Sequence, residues 1–254
     1  MFDFDKQKEI VDFKDYVSQY NELSGLFLNC CCAENEGENV LISPMSILML
    51  LAMASDSTSG KTRDEVLDFL GNPDAGRLLS ALQRSFENDS SLSVANAACI
   101  RNEFASKINR SYKELLKRKY NGEVFSSVDM VRDINKWVEK KTYGMIRNAA
   151  PEGIENLVIS LISAVAFDAL WEDPYTDYQV EDDCFDNIDE TKSRVWMMSR
   201  TEEVYLDRPF VFAIFHETAG IPVFVGVVNH LEDLKGKPEM LRRERRRNRK
   251  IKNC

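Results

Sequence analysis

Two histidines, His216 and His230, are the only imidazoles in the 254 residues, so acid–base chemistry near neutral pH has few candidates. Nucleophilic catalysis would also need a serine or cysteine presented to such a base, as in a Gly-x-Ser-x-Gly turn. Neither histidine has one nearby in sequence. His216 closes the apolar run Val-Phe-Ala-Ile-Phe, and His230 follows Val-Val-Asn. The chain is therefore not expected to be an enzyme. Thiol chemistry has six cysteines to draw on, Cys30, Cys31, Cys32, Cys99, Cys184 and Cys254. Adjacent cysteines cannot easily bridge one another, and no Cys-x-x-Cys pair is present to seed a metal site. Reduced or buried thiols are expected, with no metal and no cofactor. No glycine-rich phosphate loop occurs. Asn88-Asp-Ser and Asn109-Arg-Ser fit the glycosylation pattern, which matters only to a secreted chain.

Charge supplies a second kind of chemistry. Residues 235–254 hold ten Lys or Arg and two Glu, a net of +8 in a chain whose total is −9. The rest carries 23 basic and 40 acidic residues, a net of −17. This is an acidic body followed by a basic stretch, 232–254, expected to be a disordered tail able to recruit an acidic partner or nucleic acid. The stretch lacks aromatic residues for base stacking. The most apolar run, Leu157 to Phe167, falls short of the roughly 18–20 residues a membrane-spanning helix needs, so no membrane insertion is expected. The opening Met-Phe-Asp-Phe-Asp-Lys is charged from its third residue and shows no secretory signal. A cytoplasmic location is expected from these residues, or an extracellular one if a leader precedes them.

The elements that would position these groups follow from periodicity. Residues 6–32 carry Ile10, Phe13, Val17, Tyr20, Leu23 and Phe27 at helical spacing. Val40-Leu41-Ile42 is a short β-prone run, and Pro44 after Ser43 suits the first turn of a helix to about Ser55. That helix is apolar on nearly all sides and should be buried. Arg63 to Leu70 predicts another helix, closed by Gly71. Leu92 to Ile100 predicts a strand, Lys107 to Tyr120 a helix, and Val124-Phe125 a short strand. Val131 to Met145 predicts an amphipathic helix through Ile134, Trp137, Val138 and Met145. Leu157 to Phe167 reads as a strand covered on both faces. Val195 to Met198, Phe210 to Phe215 and Val223 to Val228 are further strands, the last two joined by a hairpin at Glu217–Gly220. Helices precede strands, so the class is α+β.

Five strings then resemble one family in its own order. Asn39 to Ser46 is similar to the strand-into-helix entry beneath the main sheet of serpins, the protease inhibitors. Ile134 to Ile146 resembles the helix that crosses that sheet. Ala164-Val165-Ala166-Phe167 with Trp171 resembles its central strand and the tryptophan at its upper end. Val195-Trp196-Met197-Met198 matches the strand ending in paired methionines. Val204 to Ile214, centred on Asp207-Arg208-Pro209-Phe210, matches the C-terminal signature.

The resemblance implies an incomplete serpin-like domain over residues 1–231, with N-terminal helices packed on antiparallel and mixed sheets. It implies a serine or cysteine protease as partner, with Ser43, Ser46 and Ser163 at the sheet's gate and Trp171 at its entry. Serpins usually have asparagine where this chain has Ser163. Family resemblance also places several strands, a hinge and the protease-binding loop between Ser199 and Val204, where only Arg200-Thr201-Glu202-Glu203 stands. With an internal deletion near 199–204, the chain is expected to be non-inhibitory. Open sheet edges are expected to leave marginal stability or self-association.

Overall fold

Ser43 and Pro44 set the start of the most deeply apolar helix. In this computed structural model Ser43 lies in extended backbone (φ −109°), and its hydroxyl accepts the Ser46 amide at 3.4 Å. Pro44, whose missing N–H costs nothing at the first helical position, opens α2 (Pro44–Ser55). Every residue of α2 is at least half-buried, as its unbroken apolar sequence requires. The structure describes residues 15–87, 90–199 and 205–233. Ile10, Phe13, Asn88 and the basic stretch beyond Asp233 lie outside them.

Before α2 come α1 (Val17–Glu34) and β1 (Val40–Ile42); after it come α3 (Lys61–Leu70) and α4 (Ala75–Ser85). Gly71 ends α3 in the left-handed region (φ +71°), where a side chain would be strained. Then follow β2 (Leu92–Arg101), α5 (Arg110–Tyr120), β3 (Glu123–Ser127), α6 (Met130–Lys141) and β4 (Ile159–Phe167). Four strands complete the order: β5 (Val180–Asp186), β6 (Lys192–Met198), β7 (Phe210–His216) and β8 (Ile221–Val228). The class is α+β, as expected. Neither α4 nor β5 has a counterpart among the expected elements. The apolar residues of α4 do recur helically, through Leu78, Leu79 and Leu82. β5 hides behind four acidic residues in seven, two of which meet basic residues on β6 through Asp182–Arg194 and Asp186–Lys192.

Two compact units divide the described residues: 15–27, 42–168 and 213–225 form one, and 28–41, 169–212 and 226–233 the other. In the first, β2 is the centre of a mixed sheet ordered β3-β2-β4, parallel to β3 and antiparallel to β4. Alternation along β2 splits the core into two layers. Leu92 and Ala98 join the helical cluster of Met45, Leu48, Met49, Leu79 and Tyr120. Ala97 and Cys99 turn to the other face, under Ile134, Trp137 and Val138 of α6. Burial there pushes the Cys99 thiol up to about 11.

Two expectations need correcting. α6 stops at Lys141, short of Met145, because Thr142 Oγ1 donates back to Val138 O (2.8 Å) and accepts the Ile146 amide (3.1 Å). Tyr143 and Gly144 then take φ of +53° and +82°, and Met145 is exposed. β4, outermost among the described strands of its sheet, is not buried along its whole length as a strand covered on both faces would be. Only Ala164, Val165 and Ala166 are buried, while Phe167 is exposed.

In the second unit β5 and β6 pair antiparallel, from Val180↔Met198 to Asp186↔Lys192. The remaining sheet, ordered β1-β8-β7, places Gly226 where a Cβ would meet Val40 O at 2.7 Å. Glycine is what permits that approach.

Candidate functional site

The first unit brings Ser43, Ser46 and Ser163 together. Ser46 stands one turn into α2 and Ser163 in the middle of β4. Ser46 Oγ donates to Ser163 O (3.4 Å), and Ser163 Oγ donates to Ser46 Oγ (3.3 Å). Both hydroxyls are half-buried, so each contact offsets a desolvation cost. Ser43 caps the same helix, which fixes where Ser46 projects.

This seam continues into residues that the sequence does not single out. Asn96 on β2 pairs directly with Ser163 across the sheet and is 1 % exposed. Its Nδ2 donates to Gln83 Oε1 (2.8 Å) and Tyr120 O (3.1 Å), while its Oδ1 has no hydrogen-bond partner. An amide at the core-facing period of β2, between Val94 and Ala98, marks a buried polar group in the sequence but not the partner it faces. Tyr120 in turn donates its phenol to Asp56 Oδ2 at 2.7 Å, and Lys119 Nζ reaches the same oxygen at 2.7 Å. Burial and the Asp56 carboxylate push the Tyr120 phenol far above its ordinary value.

The second unit holds the other expected residues. Trp171 is exposed, its ring edge-on to Tyr175 at 5.7 Å. Asp207 and Arg208 pair through Nε–Oδ1 (2.8 Å) and Nη2–Oδ2 (3.2 Å), which holds the Asp207 carboxyl below its usual range. Asp207 O accepts the Asp186 amide (2.7 Å), and the Phe210 ring meets Phe185 edge-on at 6.4 Å. The signature thus ties the segment entering β7 to β5. A second polar group, unread in the sequence, fixes the segment after β8. Asn187 Oδ1 accepts the Leu231 amide (2.9 Å), and Asn39 Oδ1 accepts the amides of Asn229 (2.7 Å) and His230 (2.9 Å).

The histidines are occupied structurally. His216 Nδ1 accepts the Ala219 amide (3.1 Å) within the hairpin, and its ring lies 4.5 Å from that of Phe86. His230 Nδ1 lies 3.9 Å from Asp189 Oδ1. Among the described residues no cluster of three His, Cys, Asp or Glu side chains is arranged to hold a metal, and no helix is long and apolar enough to cross a membrane.

Comparison with known proteins gives these seams a context. The family model Serpin (serine protease inhibitor) matches residues 18–206, about three quarters of the chain. Serpin-ZX of Arabidopsis thaliana is 27% identical over 234 residues, covering 85% of this chain and 58% of that protein. Neuroserpin of Mus musculus is 28% identical over 204 residues, covering 74% of this chain and 47% of that one. The chain spans about half the length of the curated relatives it matches. Among solved structures, the native stressed conformation of Arabidopsis AtSerpin1 shares the fold with a TM-score of 0.65 at 24% identity, over 80% of this chain and 54% of that chain. The latent state of the thermophilic serpin tengpin gives 0.61 at 26% identity, over 80% and 55%. This chain belongs to the serpin family.

Proposed function

We propose that this chain is a non-inhibitory serpin, descended from serine protease inhibitors but without the part that traps a protease. Trapping needs a long bait loop that inserts as a strand beside the main sheet after cleavage. The observation that carries this reading is a length. Between Met198, the end of β6, and Phe210, the start of β7, lie eleven residues. Of these, Ser199 is held by its amide on Gln179 O (2.8 Å), and Tyr205 to Pro209 lead into β7 with Asp207 bonded to Asp186, which leaves five, residues 200–204. Five extended residues reach roughly 17 Å. The nine residues of β4 extend roughly 30 Å, so the linker cannot form a strand alongside it. Ser43, Ser46 and Ser163 then serve to seat α2 under the sheet, and Asp207 to Phe210 to anchor the chain entering β7.

The test is incubation with a panel of serine and cysteine proteases, read on a denaturing gel. Cleavage fragments without a stable covalent complex are expected. A complex would overturn the reading and place a surrogate loop around Arg200 to Tyr205.

The charge asymmetry favours a second reading, a binding module whose 235–254 segment recruits an acidic partner or nucleic acid. Binding to a DNA duplex that falls steeply with salt and vanishes on removing that segment would support it. Among the described residues no strand pairs with the outer edge of β4, which supports self-association, read from oligomeric state against concentration.

A further inference from the structure

The β5–β6 sheet of the second unit has an outer edge along β6 with which no strand pairs among the described residues. Antiparallel pairs alternate between those that exchange backbone hydrogen bonds and those that do not. The Asn187 amide on Thr191 O and the Ser199 amide on Gln179 O, both 2.8 Å, fix which pairs are closed. Arg194, Trp196 and Met198 therefore turn their amides and carbonyls away from β5. On that side the Arg194 amide meets Asp233 Oδ1 at 2.6 Å.

Residues 229–233 reach this edge running the same way as β6. Asn229 O accepts the Ile188 amide (3.0 Å), Leu231 O accepts the Ser193 hydroxyl, and Asp233 stands at Arg194. The next four residues, Leu234-Lys235-Gly236-Lys237, lie outside the described ones, and Pro238 follows them. Their types alternate as β6 does. Ser193 and Val195 are buried and Met197 half-buried on one face of β6, while Lys192, Arg194 and Met198 are exposed on the other. Leucine and glycine at 234 and 236 suit the covered face, and lysine at 235 and 237 suits the open one. Lysine and proline are also what an outermost strand carries to keep a second chain from pairing with it.

We propose that Leu234 to Lys237 add to the edge of β6 as a short parallel third strand, the chain's own cover for that edge. Continuing the register from Asp233 beside Arg194 sets Leu234 beside Val195 and Gly236 beside Met197. Gly236 O then accepts the Met198 amide, and the Gly236 amide donates to Trp196 O. Pro238, which has no N–H, stands where the pairing stops. Lys235 falls in line with Trp196 and Asp182, a directly opposed pair of β6 and β5. Its stem lies along the indole and its ammonium turns to the Asp182 carboxylate, which already pairs with Arg194. Asp233 is seated on the edge, so adding the next four residues closes no loop. The strand leaves residues 242–252 available, so it stands whether or not they recruit a partner and whether or not the chain traps a protease.

The test is residue-resolved hydrogen exchange by NMR on the full chain, on a chain ending at Asp233, and on Gly236→Pro, which keeps length and charge. The Met198 amide should exchange about fivefold faster in both variants, while the Val195 amide, which faces β5, keeps its protection. Carbodiimide coupling supplies a second readout. In an equal mixture of isotopically light and heavy chains, Lys235 should join to Asp182 within one chain, so coupled peptides carry a single label. Gly236→Pro should cut their yield. Equal Met198 exchange in the three proteins would overturn the proposal. So would coupled peptides of mixed label, which would put a second copy's segment on the edge.

Discussion

The first unit buries tyrosines, methionines and leucines in two layers about β2, whereas the second buries as many amide and hydroxyl side chains as apolar ones. Among the described residues of the second unit, Val40, Phe185 and Val195 are its buried apolar side chains, matched by Asn187, Ser193 and Asn229. The first unit is therefore held chiefly by area removed from water, which tolerates exchange of one apolar residue for another. Specific hydrogen bonds hold the second, and these fail when one partner is lost. One sequence thus encodes two kinds of cohesion, and each has its own way of being broken.

Alkali should separate the units most strongly. Tyr16, Tyr20 and Tyr120 are buried in the first unit, while Tyr178 and Tyr205 of the second are exposed. Burial pushes the Tyr16 phenol up to about 12 and the other two further in the same direction. A group whose folded pKa is raised stabilises the fold fully below its unfolded value and loses that contribution as pH rises through the folded value. Stability should therefore hold below about pH 10 and fall steeply between pH 10 and 12, with Tyr16 alone worth about 3 kcal/mol. Ultraviolet titration of tyrosinate alongside circular dichroism measures this. Smooth titration of all eight tyrosines near pH 10 with the fold intact would refute it.

Breaking the second unit needs only Asn187→Ala. The substitution removes bonds to Thr191 Oγ1 (2.9 Å), Ser193 Oγ (2.8 Å) and the Leu231 amide (2.9 Å). The expected cost is about 2 kcal/mol, because the partners left behind are partly buried. Hydrogen exchange should quicken at Ser193 and Leu231 while amides of α2 and β2 stay protected. Equal loosening of α2 would mean that the units share one cooperative transition.

The contrast explains how far the sequence could be read. α2 and β2 announce themselves because burial writes a period into apolar residue types. α4 carries that period too, but a short amphipathic run between loops is easily passed over. β5 is a different case: its alternation is masked by carboxylates whose partners on β6, Arg194 and Lys192, lie beyond the turn. Of the candidate residues, Ser43, Ser46 and Ser163 came from family resemblance, and they converge across 117 residues of chain. Nothing in local sequence marks Asn96 as their neighbour, nor Asn39 and Asn187 as anchors for residues 229–231. An asparagine's role depends on what stands opposite it, and that is fixed only by register.

Register also supplies the smallest effect and the finest test. Ser163 faces Asn96 across β2 and β4, a directly opposed pair whose side chains share one face. Asn96 Oδ1 lacks a partner there, a deficit of about 1–3 kcal/mol in a buried amide. Ser163→Asn extends the side chain and adds an Nδ2 donor beside that oxygen, while its own Oδ1 can accept from Ser46. The variant should gain about 1 kcal/mol, raising the melting temperature by roughly 2–4 °C. Ser163→Ala should lose a little less than that, since it forfeits only the long contacts to Ser46. If the asparagine variant melts lower than the alanine one, the space under β4 is too tight for an amide. The serine would then be fixed by packing, making the seam resemble the apolar layers around it more than the asparagine anchors of the second unit.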